Sequence, residues 1–170
     1  DTKNNTEEEI KDLIKLAHNN SKSGRADLFD KITSLIESRH QQISTSEIDL
    51  MMDILGSLIA EVEVTLRKKL SFKLADSVDV PVELILLLAN DEIEVANPIL
   101  IQNTLLSDKE LVRIIQMKSR QHQLSIAARS SLSSEVCRAL IKTNDDGVII
   151  TMLTNVEAKI SKAAGSNQRI

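Results

Sequence analysis

Three 17-residue segments, laid over one another, decide the fold: LADSVDVPVELILLLAN at 74–90, LIQNTLLSDKELVRIIQ at 100–116 and IAARSSLSSEVCRALIK at 126–142. They follow one another at a step of 26 residues, a spacing typical of stacked repeats. Leu74-Ala75, Leu100-Ile101 and Ile126-Ala127 close one helix in each copy, and the step carries on to Met152-Leu153. Val80-Pro81-Val82-Glu83 aligns with Leu106-Ser107-Asp108-Lys109 and with Leu132-Ser133-Ser134-Glu135. Pro81 suits a first helical position, and Ser107 and Ser133 suit N-caps, where a hydroxyl accepts from an otherwise unpaired backbone N–H. Short helices then continue through Leu84–Leu88, Leu111–Ile115 and Val136–Ile141. Each unit is a helix pair too small to bury its own apolar face, stable only when neighbours stack on it.

Upstream, the pattern is helical but not repetitive. Asp1–Asn5 is polar and expected to fray; Thr6 and Glu9 have capping-box spacing before Ile10, Leu13, Ile14 and Ala17. A loop is expected over Asn19–Gly24, then a helix through Leu28, Phe29, Ile32, Leu35 and Ile36. Ser44 and Glu47 form a second capping box. From there apolar residues recur at helical spacing through Met51, Leu55, Leu58, Val62, Leu66, Leu70 and Leu74, which predicts one helix of about 30 residues, with a kink or a close helix approach at Gly56 or a kink at Ser71. The expected organisation is an N-terminal helix over 1–26, a module with a long connecting helix over 27–75, repeats over 76–164 ending in a shortened cap, and a tail over 165–170.

Composition narrows the class. Apolar residues make up 42% and charged residues 27%, which suits a folded domain. Aromatic residues make up only 1%, which disfavours a β-sandwich or barrel and suits aliphatic helix packing. The formal charge of -4 argues against bulk nucleic-acid binding. The single cysteine, Cys137, allows no internal disulfide and fits the cytoplasm. No apolar run is long enough to span a bilayer and no secretory signal precedes the first helix; a chain starting at Asp1 is expected to have its native start upstream.

The segments Leu74–Pro81, Leu88–Ala96, Leu105–Leu111, Ser119–Arg129, Leu132-Ser133 and Leu153–Ser161 are similar to an alphaproteobacterial family catalogued as a domain of unknown function, number twenty-three thirty-six. The resemblance runs from about Asp27 to about Ser161. It implies leucine-rich-variant or HEAT-like repeats, and its recurrent residues are caps and core positions, so it supplies no catalytic residue. The expected fold is therefore all-α: N-terminal helices followed by a short right-handed helical-repeat solenoid.

Chemistry-bearing patterns are sparse. Glu37 and His40 form a Glu-x-x-His pair, but a carboxylate-bridged metal site needs a second copy, and there is none. His18, His40 and His122 have no metal-ligand spacing, and Cys137 aligns with the core positions Ile85 and Leu111. Phosphate loops, nucleophile elbows and zinc-protease motifs are absent. The expectation is no enzyme, no metal and no cofactor, with Met51 and Met52 serving as core or lining a pocket. Charge is segregated instead. Asp76, Asp79, Glu83, Asp91, Glu92 and Glu94 form an acidic run, and Arg113, Lys118, Arg120, Arg129, Arg138 and Lys142 a basic one relieved by Glu135. Stacking turns linear segregation into spatial segregation, so Arg113, Lys118, Arg120, Arg129 and Arg138 are the candidate partner-binding residues. A protein partner is preferred; nucleic acid on a basic face, a small-ligand pocket and self-association through complementary ends are the alternatives. A polar residue also recurs at Ser77, Asn103, Arg129 and Asn155, which predicts capping of the preceding helices, with Arg129 alternatively aimed at a ligand.

Overall fold

The computed structural model describes residues 2–17 and 21–167, and among these every regular element is helical. In order they are α1 (Thr2–Ala17), α2 (Lys22–Arg39), α3 (Thr45–Leu58), α4 (Val64–Leu74), α5 (Val82–Ala89), α6 (Ile93–Gln102), α7 (Asp108–Met117), α8 (Arg120–Ala127), α9 (Ser134–Ile141) and α10 (Asp146–Asn167). Short 3-10 turns follow α2 and α3.

Caps account for most starts. Ser44 and Ser107 each complete a reciprocal capping box, with Glu47 and Glu110 respectively. Ser21, Ser119 and Ser133 accept from the third backbone N–H of their helices. Such a cap is worth about 1 kcal/mol. Pro81 sits one position earlier than expected, as the N-cap of α5. Thr6 does not stand at a helix start, because α1 already begins at Thr2; Asp1 and residues 18–20 lie outside the described set.

The long helix expected after Ser44 is two helices. The chain leaves α3 at Leu58, makes a turn over Ile59–Glu61, and passes through extended backbone at Val62 and Glu63 before α4. The turn buries Val62, and its carbonyl accepts from Arg67 Nε at 3.1 Å. Gly56 plays no part in the break: it is exposed, and a Cβ there would meet nothing within 4 Å. Ser71 makes no kink either; it is fully buried in α4, its hydroxyl donating to the Val95 carbonyl.

Beyond the break α5–α6, α7–α8 and α9–α10 form successive packed helix pairs, while α3 packs on α2 and α5, and α4 on α5 and α6. α4 and the second helices line up in one row: α4 packs on α6, α6 on α8 and α8 on α10, while α7 packs on α9. At the other end α2 packs between α1 and α3. One continuous apolar core runs from Leu13 to Met152. Leu74, Leu100, Ile126 and Met152 are all buried in it, as are Leu88, Ile114 and Leu140. Burial of each such side chain contributes about 1.5–3 kcal/mol. The last unit is not shortened: α10 has 22 residues where α8 has 8.

Candidate interaction surface

A polar ladder binds the row of second helices together. Asn103 Nδ2 donates to the carbonyls of Leu74 and Ser77, both at 3.0 Å, at the C-terminal end of α4. One step on, the Arg129 guanidinium donates to the carbonyls of Leu100 (2.5 Å) and Asn103 (2.7 Å), at the end of α6. One step further, Asn155 Nδ2 donates to the carbonyls of Ala127 (3.1 Å) and Arg129, at the end of α8. The last carbonyls of a helix have no partner within it and carry partial negative charge. Each rung therefore satisfies the exposed end of one unit with a side chain from the next.

This ladder removes Arg129 from the candidate surface. Its side chain is only 7% exposed, and burial lowers its pKa, partly offset by Asp108. Lys118 is also engaged between units, with Nζ 2.8 Å from the Asn90 carbonyl that ends α5. Arg120 grips Asp145, the residue before α10, through Nε–Oδ2 at 2.6 Å and Nη2–Oδ1 at 3.2 Å. That fork holds the Asp145 carboxyl below its ordinary pKa and the Arg120 guanidinium above its own. Gly147 gives it room, since a Cβ at 147 would fall 2.3 Å from Arg120 Nη2. Arg113 on α7 and Arg138 and Lys142 beside α9 are different. They are exposed and have no hydrogen-bond or ion-pair partner among the described residues.

The acidic run divides in the same way. The Asp91 carboxylate is buried against Arg67, which also reaches Glu92 at 3.5 Å, while Lys68 pairs with Glu94 at 3.6 Å. His122, in the row of the core residues Ala96 and Val148, is buried with Nδ1 2.7 Å from Ser119 Oγ and Nε2 2.9 Å from the Asp91 carbonyl. The Asn90-Asp91 turn is thus clamped by Arg67 on one side and by Lys118 and His122 on the other. None of this network was singled out from the residues. The 26-residue step contains the signal for His122, because it sets a histidine in an otherwise aliphatic row.

Residues 95–167 match the sequence model of a family described as an uncharacterised protein conserved in bacteria, DUF2336. The chain contains a DUF2336 domain. No curated protein matches the chain, and no solved structure does. The matched span begins in α6, later than the resemblance at Asp27, and runs into the end of α10. Arg113, Lys118, Arg120, Arg129 and Arg138 all lie inside the DUF2336 domain, and Lys118 and His122 tie it to the Asn90-Asp91 turn that precedes it.

Outside the DUF2336 domain, a groove of about 460 Å³ lies between α1 and α2, lined by Glu9, Asp12, Leu13, Lys31 and Arg39 among others. Arg39 Nη1 bridges it to both Glu9 oxygens, at 3.0 and 3.2 Å. Met51 and Met52 are not in it: Met51 is buried in the core and Met52 packs against that core. Glu37 pairs with Lys73 at 2.6 Å and His40 lies 3.4 Å from Asp79, so the Glu-x-x-His pair is divided between two different partners. Cys137 is half-buried against the core. Among the described residues no three His, Cys, Asp or Glu side chains are grouped to hold a metal, and no helix is long and apolar enough to cross a membrane.

Proposed function

We propose that this chain is a non-catalytic scaffold, a right-handed HEAT or leucine-rich-variant-like solenoid, that docks an acidic protein in the cytoplasm. One observation carries the reading: Arg113 and Arg138 stand exposed and without a partner among the described residues on the stacked helices α7 and α9, while Lys118, Arg120 and Arg129 are consumed in binding one unit to the next. Unpaired guanidinium groups on a rigid support are pre-organised for carboxylates, because their planar forks donate to two oxygens at once. The aliphatic composition supports a protein partner over single-stranded nucleic acid, which is usually held by aromatic stacking.

The test is recovery of native partners by the parent chain and by an Arg113→Glu/Arg138→Glu variant, with and without nuclease. Recovery should collapse in the variant and, for the parent, weaken as salt rises, because exposed charges are screened over about 10 Å at 0.1 M. Equal recovery by both, with equal salt dependence, would overturn the reading. Loss of recovery on nuclease treatment would transfer the surface to nucleic acid.

A further inference from the structure

An apolar band crosses α4, α6, α8 and α10. These helices pack on one another in that order, and residues 26 apart fall side by side, as the Lys68–Glu94 pair between α4 and α6 shows. Phe72, Pro98, Leu124 and Ile150 form one such row, and Ala75, Ile101, Ala127 and Leu153 form the row beside it. Every member of both rows is apolar. Pro98 and the two alanines are buried, and Ile101 and Leu124 are half-buried. Phe72 and Ile150, in the first and last helices, are 66% and 62% exposed, and Leu153 is exposed with them. The band is thus continuous over four helices and stands proud at its two ends. A contiguous exposed apolar surface of this kind marks a place where another molecule sits.

The borders of the band specify the chemistry of that molecule. Among the described residues α8 carries no unpaired charge, and neither does α6 beside the band, because Glu94 is held by Lys68 and Arg120 by Asp145. The unpaired charges near the band, Lys69, Asp76, Asp146 and Glu157, stand on or beside α4 and α10. The middle of the band therefore suits an uncharged occupant. Gln102, Gln121 and Thr154 flank it, exposed and with no hydrogen bond from their side chains among the described residues. Amides and hydroxyls in that position suit backbone N–H and C=O groups, which an α-helix has already used internally and an extended chain has not.

The spacing of the rows selects the extended form. Packed helices lie about 8–10 Å apart. A polyproline II chain turns every three residues with a rise of about 3.1 Å each, so every third side chain returns to one face after about 9 Å. A β-strand returns every second side chain after about 6.7 Å and falls out of step with the helices. We propose that this band binds an extended, uncharged segment of a partner protein in the polyproline II conformation, with an aliphatic side chain at every third residue. About nine residues cover the distance from α4 to α10. The band lies on other helices than Arg113 and Arg138, so the proposal does not rest on the acidic partner.

The probe is a peptide of three Leu-Pro-Pro units between two lysines, which its prolines hold in that conformation. Titrated to about 2 mM against isotope-labelled chain, enough to report a dissociation constant near 1 mM, it should shift the amide signals of Phe72, Ile101, Leu124 and Ile150. Those of Arg113 and Arg138 should stay in place. A peptide of the same composition with its three leucines adjacent should bind about tenfold more weakly. Phe72→Ser, Ile150→Ser and Gln102→Ala should each weaken binding severalfold and keep the urea midpoint of the parent, since all three side chains are exposed. No shift at the highest concentration, equal binding of the two peptides, or shifts outside the band would each overturn the proposal. So would tighter binding of an amphipathic leucine-lysine helix, which would give the face to a helix. A dimer in sedimentation equilibrium that Phe72→Ser and Ile150→Ser abolish would give it to a second copy and overturn the proposal likewise.

Discussion

Arg129 and Arg138 belong to one basic stretch of sequence and meet opposite fates in the fold. Arg129 leaves the end of α8 and turns back into the stack, where it caps the carbonyls of Leu100 and Asn103. Arg138 on the surface of α9 is exposed and has no ionic or hydrogen-bond partner for its side chain among the described residues. The difference follows from position in the repeat. Arg129 lies in the row of Asn103 and Asn155, which reaches the open end of the helix one unit back, whereas Arg138 lies in the row of Val112, at the edge of the stacking face. Clustering of like charges along a chain therefore says little about a surface until each charge is assigned to its row. In this chain Lys118, Arg120 and Arg129 are spent on the neighbouring unit, and Arg113, Arg138 and Lys142 remain available.

The contrast is broken most readily at Arg129. Arg129→Ala should lower stability by about 2–4 kcal/mol, because buried carbonyls at the end of α6 lose their donors and a cavity opens. Arg129→Asn, which restores the residue type found at 103 and 155, should cost clearly less. Arg113→Ala and Arg138→Ala should change stability by no more than about 0.5 kcal/mol. Urea unfolding of the four variants decides this; equal losses at 129 and 138 would erase the distinction.

Acid sharpens it at the Arg120–Asp145 fork. The folded-state pKa of Asp145 is depressed, so the stability it contributes is present above the ordinary aspartate value, about 3.9, and is lost as pH falls through the lower folded value. The urea midpoint should fall between pH 6 and pH 3, and part of that fall should vanish in Asp145→Asn. An identical pH profile for both chains would show that the fork contributes nothing in solution. The smallest effect belongs to Gly147→Ala. The added methyl meets the far end of the Arg120 side chain and comes to 3.2 Å from Asp145 Oδ1, so the fork should loosen, with a stability change within about 0.5 kcal/mol. A loss several times larger would mean that the fork is rigidly held.

Much of the stack was legible because its signals are periodic and local. Leu74, Leu100, Ile126 and Met152 recur at one step and are buried together. Ser107 and Ser133 are caps because a small hydroxyl before a helix has little else to do, and Asn103 and Asn155 cap the preceding helices as their recurrence implied. The break between α3 and α4 was illegible. Ile59-Ala-Glu-Val-Glu63 contains no proline, glycine or asparagine, and Val62 keeps the helical spacing even though its backbone is extended. What breaks the helix is tertiary: burial of Val62 and the bond from Arg67. The surface was harder still. A cation row shows charge but not direction, so Lys118, Arg120 and Arg129 looked like their exposed neighbours until their partners one unit away were known. The Arg67–Asp91 pair joins α4 to the turn between α5 and α6 and has no local signature at all.

Arginine-selective modification by phenylglyoxal, read peptide by peptide on the folded chain, tests the division of the cations most directly, since the reagent must reach the guanidinium. Arg113 and Arg138 should react at the rate they show in urea-unfolded chain. Arg129, and with it the buried Arg67, should be protected until the chain unfolds. Modification of Arg129 as fast as that of Arg113 in the folded chain would contradict the ladder and return Arg129 to the surface.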